Sequence, residues 1–591
     1  MGHPFNMMTY RAGDLVSGGL TWTRPINLGG AQIQRNFSLR SDIVTKPLPA
    51  FSGSAAVPTT IEVYTQNTRT WSGQVAPGPF ELVNLPVIAQ SGEARVVLRD
   101  SQGRETVTEL PFYSSDKLLG EGLLDFSIEA GFPRRGLGVS SSDYDESPFA
   151  ILSARYGFSN WLTLEGHAEV GTDLANGGMG AVFLLKQYGA ISLATAGSAH
   201  DERGGALASA AASFNWGDWT LYGRVQRTFG NYDDVASVSA HPARDVWGDQ
   251  YRLASAPREI DQVSLAVPVP IDKARLQLSY ARIGYDASRG SQVVGVNYSQ
   301  DVWQSATLRT SLFHDFAGER NFGLYAGLSI ALGHDISASL GYDYDDDRSR
   351  TSVYLAKSER PEAGSYGWRA RSLGGDNPTR SASASYRSSF ARFETTVTQH
   401  DSDVRATASA DGALAFVGGG VFATQRLNDA FAVVDVGAPD VEVRAHNRLV
   451  GTTDRWGRVL VPNLHSYEAN TIAIDPSNLP VDAAVPSTRE VVVPAGAGGI
   501  VVKFGVSEQS LSALVGFVDP SGTPLKVGSI GRLDSAEDEF VIGYDGEAFL
   551  DKLAPANAVT IEGAGGKTCR AEFSYVPARG TQVRINGVIC Q

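Results

Sequence analysis

A two-residue alternation of apolar and polar side chains runs through the middle of the chain, from Gly122 to Gln425. Clusters of Gly, Asn, Asp and Ser divide this stretch into segments of roughly 8–12 residues, which is the pattern of β-strands joined by turns. We count about 18 such segments, and helical periodicity is almost absent from them. In one segment, Trp161–Gly171, the first face carries Leu162, Leu164, Gly166, Ala168 and Val170, and the second carries Thr163, Glu165, His167 and Glu169.

So many consecutive strands predict a closed barrel. Soluble sandwiches also alternate, but they divide into domains of about 100 residues, whereas no linker interrupts the alternating stretch. Closing one large sheet on itself removes the exposed edges that would otherwise pair with other chains. The length of the stretch therefore favours one barrel over a string of sandwiches.

The two faces of the strands predict that this barrel lies in a membrane. In a membrane barrel the apolar face contacts lipid, the polar face lines a wet lumen, and aromatic side chains flank the apolar band. Charge is costly in a dry core but not in a wet lumen. Aromatic residues near the segment ends are Trp161, Trp219, Tyr280, Trp303, Tyr342 and Tyr344. Polar residues predicted to face inward are Glu165, Glu169, Arg224, Arg275 and Gln277.

Composition and charge exclude several other classes of protein. Acidic residues outnumber basic ones by 64 to 50, and the net charge of −14 disfavours a nucleic-acid partner. Two cysteines and nine scattered histidines exclude zinc fingers and iron–sulfur scaffolds. We interpret His167, between Glu165 and Glu169, as lumen lining rather than a metal ligand, and Asp343–Asp347 as a solvated loop rather than a calcium site.

A different pattern occupies Phe51–Tyr113, between barrel-like segments at Leu15–Thr23 and Ala31–Leu39 and those that follow. Short strands separated by turns predict a small β-sandwich. Because a barrel of roughly 20 strands encloses a channel wide enough to leak, we interpret this sandwich as a plug. Its predicted strands are Ile61–Tyr64, Trp71–Val75, Phe80–Leu82, Ala94–Leu98 and Thr106–Leu110.

After Gln425 the pattern is that of small soluble β domains, first in Phe431–Val506 and then in Leu514–Gln591. The second of these contains both cysteines, Cys569 and Cys590. We favour a disulfide over two buried free thiols, because both cysteines fall in one small domain, and the bridge would contribute roughly 3 kcal/mol. A disulfide implies an oxidising compartment.

The amino terminus does not have the features of a secreted protein. Residues 1–20 contain no basic region, apolar core or small-residue cleavage site of a secretory signal. Taken alone, this segment predicts a cytoplasmic protein, in disagreement with the predicted membrane barrel and disulfide.

The order of these units resembles the fimbrial outer-membrane usher family, and local motifs match in the same order along nearly the whole chain. In and around the plug the matching motifs are Gly13–Gly19, Ile26–Gln32, Pro77–Leu82, Asn84-Leu85, Pro111–Ser114 and Leu118-Leu119. Towards the carboxy terminus they are Thr453–Gly457, Val461–Leu464, Tyr467, Asn470, Ile474-Asp475, Leu479-Pro480 and Ile542–Gly546, together with the cysteine pair.

The resemblance implies an all-β fold. It is a large transmembrane antiparallel β-barrel, of about 24 strands in the family and about 21 here, with an inserted β-sandwich plug and two small carboxy-terminal β-sandwich domains. The implied domains are residues 1–50 (the first remaining barrel strands), 51–113 (plug), 114–428 (main barrel), 429–508 (first carboxy-terminal domain) and 509–591 (second carboxy-terminal domain).

The residues of the family motifs have simple physical explanations. Pro77 and Pro79 fix φ at a turn between strands, and Phe80 is expected to fill the plug core. Asp454 and Gly457 suit a hairpin turn, and Asn470 is expected to bond to backbone, so none of these is a catalytic candidate. The predicted plug motif is Pro77, Gly78, Pro79 and Phe80, and the predicted carboxy-terminal motif is Asp454, Gly457, Asn470 and Asp475.

By resemblance the chain is a pore in the outer membrane and not an enzyme, without cofactor or metal. Its implied partners are periplasmic chaperone–pilin complexes, pilus subunits and outer-membrane lipid, and it could form a homodimer. Subunits would join by donor-strand exchange, in which a strand from one subunit completes the sheet of the next, and the fibre would leave through the barrel. No nucleic-acid partner is expected, because the chain carries a net charge of −14.

The chain departs from the family at its beginning. The signal peptide, the periplasmic domain that recruits chaperone–subunit complexes and the earliest barrel strands are missing, and about three strands precede the plug where about six are expected. We therefore expect the chain to be truncated. The alternatives are another plugged outer-membrane transporter and, less favoured, a secreted polysaccharide hydrolase, which would need a pair of carboxylates in a cleft.

Overall fold

The structure is a computed structural model that describes residues 2–40, 42–48, 51–55, 59–65, 68–75, 78–82, 91–100, 105–113, 115–135, 137, 140–240, 242–244, 250–252, 255–285, 290–317, 321–345, 348–376, 378–480, 483–507, 511–534, 539–563, 567–578 and 581–591. Helical backbone in these residues is limited to one α-helical turn, α1 (Val235–Val238), and 3₁₀ turns at Phe37–Leu39, Pro476–Asn478 and Tyr544–Gly546. None of the described helical segments has the length and hydropathy of a membrane-spanning helix.

All other regular structure is β. Before the insertion lie β1 (Gly2–His3), β2 (Met8–Val16) and β3 (Asn27–Arg35). The insertion contains β4 (Phe51–Ala55), β5 (Thr59–Thr65), β6 (Thr68–Val75), β7 (Gly78–Leu82), β8 (Ser91–Asp100) and β9 (Glu105–Tyr113). It is followed by β10 (Leu124–Pro133), β11 (Phe149–Ser159), β12 (Leu162–Val170), β13 (Leu174–Leu184), β14 (Gly189–His200), β15 (Arg203–Trp216), β16 (Trp219–Gly230), β17 (Pro242–Arg244), β18 (Gln250–Arg252), β19 (Glu259–Pro268), β20 (Ala274–Gly284), β21 (Ser291–Asp301), β22 (Ala306–Asp315), β23 (Asn321–Gly333), β24 (Ile336–Asp345), β25 (Arg348–Lys357), β26 (Tyr366–Gly374), β27 (Thr379–Arg387), β28 (Ala391–His400), β29 (Asp403–Val417) and β30 (Gly420–Thr424). The remaining strands are β31 (Ala430–Asp435), β32 (Glu442–Ala445), β33 (Arg448–Thr452), β34 (Arg458–Leu464), β35 (Asn470–Asp475), β36 (Arg489–Val492), β37 (Gly499–Lys503), β38 (Ala513–Val518), β39 (Ile530–Leu533), β40 (Glu539–Val541), β41 (Glu547–Leu550), β42 (Ala556–Glu562), β43 (Thr568–Ser574) and β44 (Val583–Ile589).

One large sheet contains 22 of these strands, against about 21 predicted. Strands that follow one another in the chain pair antiparallel, as β11–β12 and β23–β24 do. The ladder continues past the insertion, because β3 pairs directly with β10, with Ile33 opposite Ile128 and Gly30 opposite Gly131. The short hairpin β17–β18 lies in the connection between β16 and β19, which also pair directly.

The large sheet buries its polar face and exposes its apolar face. On β12, Glu165, His167 and Glu169 are buried, whereas Leu164 and Val170 are exposed. A sheet in a water-soluble protein buries the opposite face; exposed apolar residues alternating with interior polar ones are typical of a membrane barrel. Among the predicted girdle residues, Trp161, Trp219, Trp303 and Tyr342 are exposed, while Tyr280 and Tyr344 are half-buried.

The insertion is a small sandwich of two sheets, β4–β7 and β6–β5–β8–β9. Its core contains Ile61, Val63, Ala94 and Val96, all inaccessible to solvent. Each strand predicted in this region lies within an observed strand, and β4 is an additional strand that the prediction missed.

Two sandwiches of identical topology end the chain. The first has sheets β34–β31–β37 and β33–β32–β35–β36, and the second has β41–β38–β44 and β40–β39–β42–β43. In each, the first strand is central, pairing antiparallel with the fourth strand and parallel with the last. Each has its own apolar core, around Val434 and Ile472 in the first and around Phe517 and Ile561 in the second.

The chain forms two compact units. The first contains Met1–Pro361, Ser365–Tyr386 and Glu394–Ser409, and the second contains Glu362–Gly364, Arg387–Phe393 and Ala410–Gln591. The predicted fold class is confirmed: the chain is all-β, with a large antiparallel barrel sheet, an inserted sandwich and two small carboxy-terminal sandwiches. The five domain boundaries read from the sequence stay predictions.

Some predictions of strand position were wrong. The segments Leu15–Thr23 and Ala31–Leu39 are not strands as a whole, because β2 ends at Val16 and β3 ends at Arg35. The alternation misled here because the turn after β2 carries a buried apolar residue, Trp22, as a strand would. The acidic segment at Asp343 is also not a loop throughout: Asp343 lies in β24 and accepts a hydrogen bond from Arg350 Nε at 2.8 Å, and residues 346–347 lie outside the described residues.

Candidate functional site: a polar network inside the large sheet

The turn between β2 and β3, residues 17–26, contacts the polar face of the large sheet, and we refer to it as the inserted turn. Its ends are joined, since Ser17 N donates to Ile26 O and Ile26 N donates to Ser17 Oγ, both at 2.9 Å. In its middle, Leu20 N donates to Thr23 Oγ1 at 2.8 Å. A turn that satisfies its own backbone groups can leave the ladder without burying unpaired donors.

Trp22 anchors the inserted turn to β12. Its indole packs with buried Ala196 and Leu207, and its Nε1–H donates to Glu165 Oε2 at 2.9 Å. A buried indole N–H needs an acceptor, and Glu165 supplies it. The Trp22 ring also meets the His167 ring edge-on, with centroids 5.8 Å apart.

Glu129, on β10, anchors the start of the inserted turn. Its Oε1 accepts from Gly18 N at 2.9 Å and from Gln32 Nε2 at 2.8 Å, and the hydroxyl of Ser127 donates to the same oxygen. A buried carboxylate is tolerated only when several donors compensate for its lost hydration. The strand on one side of the insertion is thereby tied to the turn on the other side.

The helical turn α1 is the third part of the network. Asp234 caps it in a capping box, since Ser237 N donates to Asp234 Oδ1 at 2.8 Å and Asp234 N donates to Ser237 Oγ at 2.9 Å. Val235 N donates to Glu169 Oε2 on β12 at 2.7 Å. One helical turn has little stability of its own, so these contacts hold α1 in place.

Arg24 joins the inserted turn to α1. Its Nε donates to Asp234 Oδ2 at 2.7 Å, its Nη2 pairs with Asp234 Oδ1, and the same Nη2 donates to Ser237 Oγ at 3.1 Å. This is the two-point geometry that makes Arg–carboxylate pairs strong. Burial alone would raise the pKa of Asp234, but the hydrogen bonds and charge of Arg24, together with the hydrogen bonds of Ser237, outweigh it and hold that pKa below its usual value.

His167 and Glu169 connect α1 to the wall of the sheet. His167 Nδ1 lies 2.9 Å from Ser153 Oγ, and His167 Nε2 lies 3.1 Å from Glu169 Oε1. Glu169 therefore bonds to His167 with one oxygen and to the α1 backbone with the other. No group of His, Cys, Asp or Glu suited to a metal ion occurs in the part of the chain that the structure describes.

The loop that leads into α1 is anchored on β13 and β14. Asn176 Nδ2 donates to Tyr232 Oη at 3.0 Å and to Asp233 O at 2.8 Å, and Asp233 N donates to Ser198 Oγ at 2.9 Å. His200 Nδ1 lies 3.1 Å from Asp233 Oδ2. Burial raises the pKa of Tyr232 to about 12, so its phenol is neutral at physiological pH.

The two linkers of the inserted sandwich meet each other at the same wall. Gly120 N donates to Thr45 O at 2.8 Å, and Lys46 Nζ lies 3.2 Å from Asp116 Oδ1. Leu119 N donates to Thr163 Oγ1 on β12 at 2.8 Å. The sandwich therefore joins the sheet through one closed neck, attached to the strand that also carries Glu165 and Glu169.

The predicted plug motif lies only partly within the described residues. Pro77 lies outside them. Gly78, Pro79 and Phe80 belong to β7, where Phe80 is opposite Gly53 and Pro79 is opposite Ser54. The side chain of Phe80 is outside the description, so its role in the plug core stays a prediction.

The carboxy-terminal motif lies in the first carboxy-terminal sandwich, where its residues shape turns. Asp454 Oδ1 accepts from Trp456 N at 2.9 Å and from Arg458 N at 3.0 Å. Gly457 has φ of +75°, and a Cβ there would meet backbone atoms of residues 437 and 438 at under 3 Å, so only glycine fits. Asp475 accepts from Ser477 N at 3.0 Å.

Asn470 is fully buried and bonds to the backbone of a neighbouring loop. Its Oδ1 accepts from His465 N at 2.9 Å, and its Nδ2 donates to His465 O at 2.7 Å and to Glu468 O at 2.8 Å. Asn557 makes the same kind of bridge in the second sandwich, to both backbone groups of Ala554. That sandwich contains the predicted disulfide between Cys569 and Cys590, which the structure confirms.

The sequence analysis placed Glu165, His167 and Glu169 on one face but missed Trp22, Arg24 and Asp234, which complete the network. One local signal could have found part of it: Asp234 followed by Ser237 is a helix-start pattern. Arg24 and Asp234 are 210 residues apart, and no local pattern links them.

Comparison with known proteins identifies a family. The family described as outer membrane usher protein matches residues 22–504. The outer membrane usher protein AfaC of Escherichia coli is 24% identical over 580 residues, covering 90% of this chain and 64% of AfaC. The outer membrane usher protein HifC of Haemophilus influenzae is 24% identical over 606 residues, covering 95% of this chain and 69% of HifC. This chain therefore spans about two thirds of the length of these relatives.

A solved structure shares the fold. A chain in the cryo-EM structure of the E. coli P pilus tip assembly intermediate PapC-PapD-PapK-PapG matches with a TM-score of 0.70 and 19% identity. The match covers 100% of this chain and 73% of that one.

Proposed function

This chain belongs to the outer membrane usher protein family, and from that premise we propose that it receives pilus subunits from a periplasmic chaperone, assembles them in order and exports the fibre through its barrel. Its location is the outer membrane. Members of this family are assembly platforms and transporters rather than known enzymes, and we propose that this chain likewise performs no covalent chemistry. The proposed partners are chaperone–pilin complexes, pilus subunits, outer-membrane lipid and, in a homodimer, a second copy.

The observation that carries this proposal is the direct pairing of β3 with β10 across the inserted sandwich. Because the ladder is complete without the insertion, the sandwich can move while the wall of the pore keeps its hydrogen bonds. The neck formed by Thr45 and Gly120 would act as the pivot. A pore that must prevent leakage and yet pass a folded fibre needs such a plug, attached to the barrel at one point.

The polar network suggests how the plug is held in the closed pore. The inserted turn and α1 are tied to β12, the strand to which the neck also binds through Leu119 and Thr163. We propose that loosening this network accompanies opening of the pore. No nucleotide is required, because pairing of a donated strand with an incomplete subunit supplies the free energy.

Secretion in a heterologous strain tests the proposed function. The chain, expressed together with a periplasmic chaperone and its pilus subunits, should place fibres on the cell surface and co-purify with a chaperone–subunit complex. Fibres that form equally well without the chain would contradict the proposal. A solute-uptake phenotype without any subunit contact would instead indicate the plugged transporter.

Conductance measurements test separately whether the plug closes the pore. Deletion of residues 51–113 should raise the single-channel conductance in planar bilayers, whereas deletion of residues 511–591, the matched control, should leave it unchanged. Equal conductance of the plug deletion and the full chain would show that the sandwich does not close the pore.

A further inference from the structure

The last hairpin of the large sheet, β29–β30, is fixed to the first carboxy-terminal sandwich. Ala415 on β29, Val433 on β31 and Leu460 on β34 form one buried cluster. Around this cluster pack Val417, Phe422, Leu427 and Phe431. Burial of this apolar surface joins one face of the hairpin to the sandwich, so the position of the sandwich follows from that of the hairpin.

The other face of this hairpin is apolar and exposed. Phe416 is opposite Val421 in the antiparallel register, so the two side chains share a face with Leu414. Phe416 is 75% exposed, Val421 65% and Leu414 66%. In an outer-membrane barrel an exposed apolar strand face contacts lipid, and we refer to these three residues as the lipid-facing patch.

A groove runs from this patch onto the sandwich. It has a volume of about 530 Å³, and the turn before β34 supplies one wall. The groove is lined by Gly419, Gly420, Val421, Phe422, Asp454, Trp456 and Arg458. The lipid-facing patch and the sandwich therefore form one continuous surface.

Trp456 is held at the mouth of this groove with its side chain 64% exposed. The turn is rigid, because Asp454 accepts both Trp456 N and Arg458 N, and Arg458 in turn pairs with Asp435 at 3.2 Å. Arg458 Nη1 also donates to Gly418 O at 3.2 Å, which ties the turn to the hairpin. Trp456 and Val421 line the same groove, so the exposed ring extends the apolar patch of the hairpin, and an extended exposed apolar patch marks a contact outside the chain.

Arg455 lies against Trp456, with its guanidinium 3.9 Å from the ring centroid. In the residues that the structure describes, no carboxylate forms an ion pair with Arg455. Tryptophan prefers the boundary between lipid headgroups and acyl chains, and an arginine beside it can pair with lipid phosphate. The acidic group in the groove, Asp454, is already engaged by two backbone donors.

We propose that the turn Asp454–Gly457 of the first carboxy-terminal sandwich inserts into the headgroup region of the bilayer, where Trp456 contacts acyl chains and Arg455 binds the phosphate of an anionic phospholipid. The sandwich is thus bound to the membrane by its own turn. Continuity with the lipid-facing patch and the charge of Arg455 favour lipid over a protein partner in the groove.

Spin labelling in vesicles tests this proposal. The two native cysteines are bonded to each other, so Trp456→Cys supplies a single reactive thiol for a nitroxide. The matched control is Tyr544→Cys, on the equivalent turn of the second sandwich, where the native side chain is 85% exposed. The full chain is reconstituted in vesicles of phosphatidylethanolamine and phosphatidylglycerol, without chaperone or subunits, so the result is independent of the export function.

The expected result is that the label at 456 collides mainly with oxygen dissolved in lipid, and the label at 544 mainly with a water-soluble nickel chelate. Adding Arg455→Gln to the 456 variant should raise its nickel collisions about fivefold, which is the effect expected from removing one basic residue at an anionic surface. Equal nickel access at both positions would overturn the proposal. Protection of 456 from both reagents would also overturn it, because protein would then cover the groove.

A second measurement needs no added cysteine. Phospholipids brominated near the top of their acyl chains should quench the chain's tryptophan fluorescence, and Trp456→Phe should remove part of the quenchable signal. An unchanged quenchable fraction in Trp456→Phe would contradict lipid contact at this residue.

Discussion

Replacing Arg24 with alanine should separate α1 from the inserted turn and loosen α1. The substitution removes both bonds from Arg24 to the Asp234 carboxylate, whose side chain is 8% exposed. The hydroxyl and the backbone N–H of Ser237 then remain as donors to that carboxylate. Breaking a buried ion pair from one side costs about 3–5 kcal/mol. Because the Arg24 side chain is 29% exposed, we expect about 2–3 kcal/mol, which raises the open population of α1 by about 30- to 150-fold.

Hydrogen exchange of the backbone amides of residues 231–239, followed by mass spectrometry on the full chain in nanodiscs, measures this effect. The matched control is Arg350→Ala, which breaks an exposed pair with Asp343 at 2.8 Å and should cost less than about 1 kcal/mol. Equal protection of residues 231–239 in the two variants would refute the reasoning. It would mean that the capping box and the Val235–Glu169 bond hold α1 without Arg24.

Three further predictions concern protonation and the carboxy-terminal sandwiches. Since the pKa of Asp234 is lowered in the folded chain, its contribution to stability is present above the usual aspartate pKa of about 3.9 and is lost as the pH falls through the lower folded value. The hydrogen-exchange rate of residues 231–239, corrected for the intrinsic rate, should therefore be flat from neutral pH to about pH 5 and rise below about pH 4. A rise near pH 6 would point to another group. Because the pKa of Tyr232 is raised to about 12, its contribution to stability is fully present below about pH 10 and is lost as the pH rises through about 12. An absorbance titration of the chain, compared with that of Tyr232→Phe, should show one phenol ionising near pH 12. Ionisation near pH 10 would contradict its burial. Asn470→Ala should lower the stability of the first carboxy-terminal sandwich by about 2–3 kcal/mol, because it leaves buried backbone groups unpaired. Cys590→Ser should lower the stability of the second by about 3 kcal/mol, because it opens the disulfide loop. In each variant the urea midpoint for proteolysis of the affected sandwich, residues 429–507 or 511–591, should fall, and an unshifted midpoint would show that the contact is dispensable.

The large sheet could be predicted because its pattern is local. Each strand has an exposed apolar face and a buried polar face, so consecutive residues such as Leu164 and Glu165 must differ in kind. That requirement repeats in every strand and needs no knowledge of the neighbouring strands. The carboxy-terminal turns were predictable for a similar reason, since Asp454 and Gly457 act on their own backbone.

The polar network could not be predicted in the same way. Arg24 and Asp234 meet only because the sheet brings two distant turns to the same interior face, and their 210-residue separation leaves no periodic signal. The ends of β2 were misplaced for a related reason: Trp22 is buried by the folded turn, not by a strand. Propensity and alternation describe single segments, whereas these contacts depend on the arrangement of many segments.

The shared topology of the two carboxy-terminal sandwiches has a mechanical consequence. In each, the first and last strands lie side by side and parallel, β31 with β37 and β38 with β44. A pull on the two ends of either domain would load all the hydrogen bonds between these strands at once, in shear, instead of opening them one by one. Both domains are therefore built to stay folded under tension.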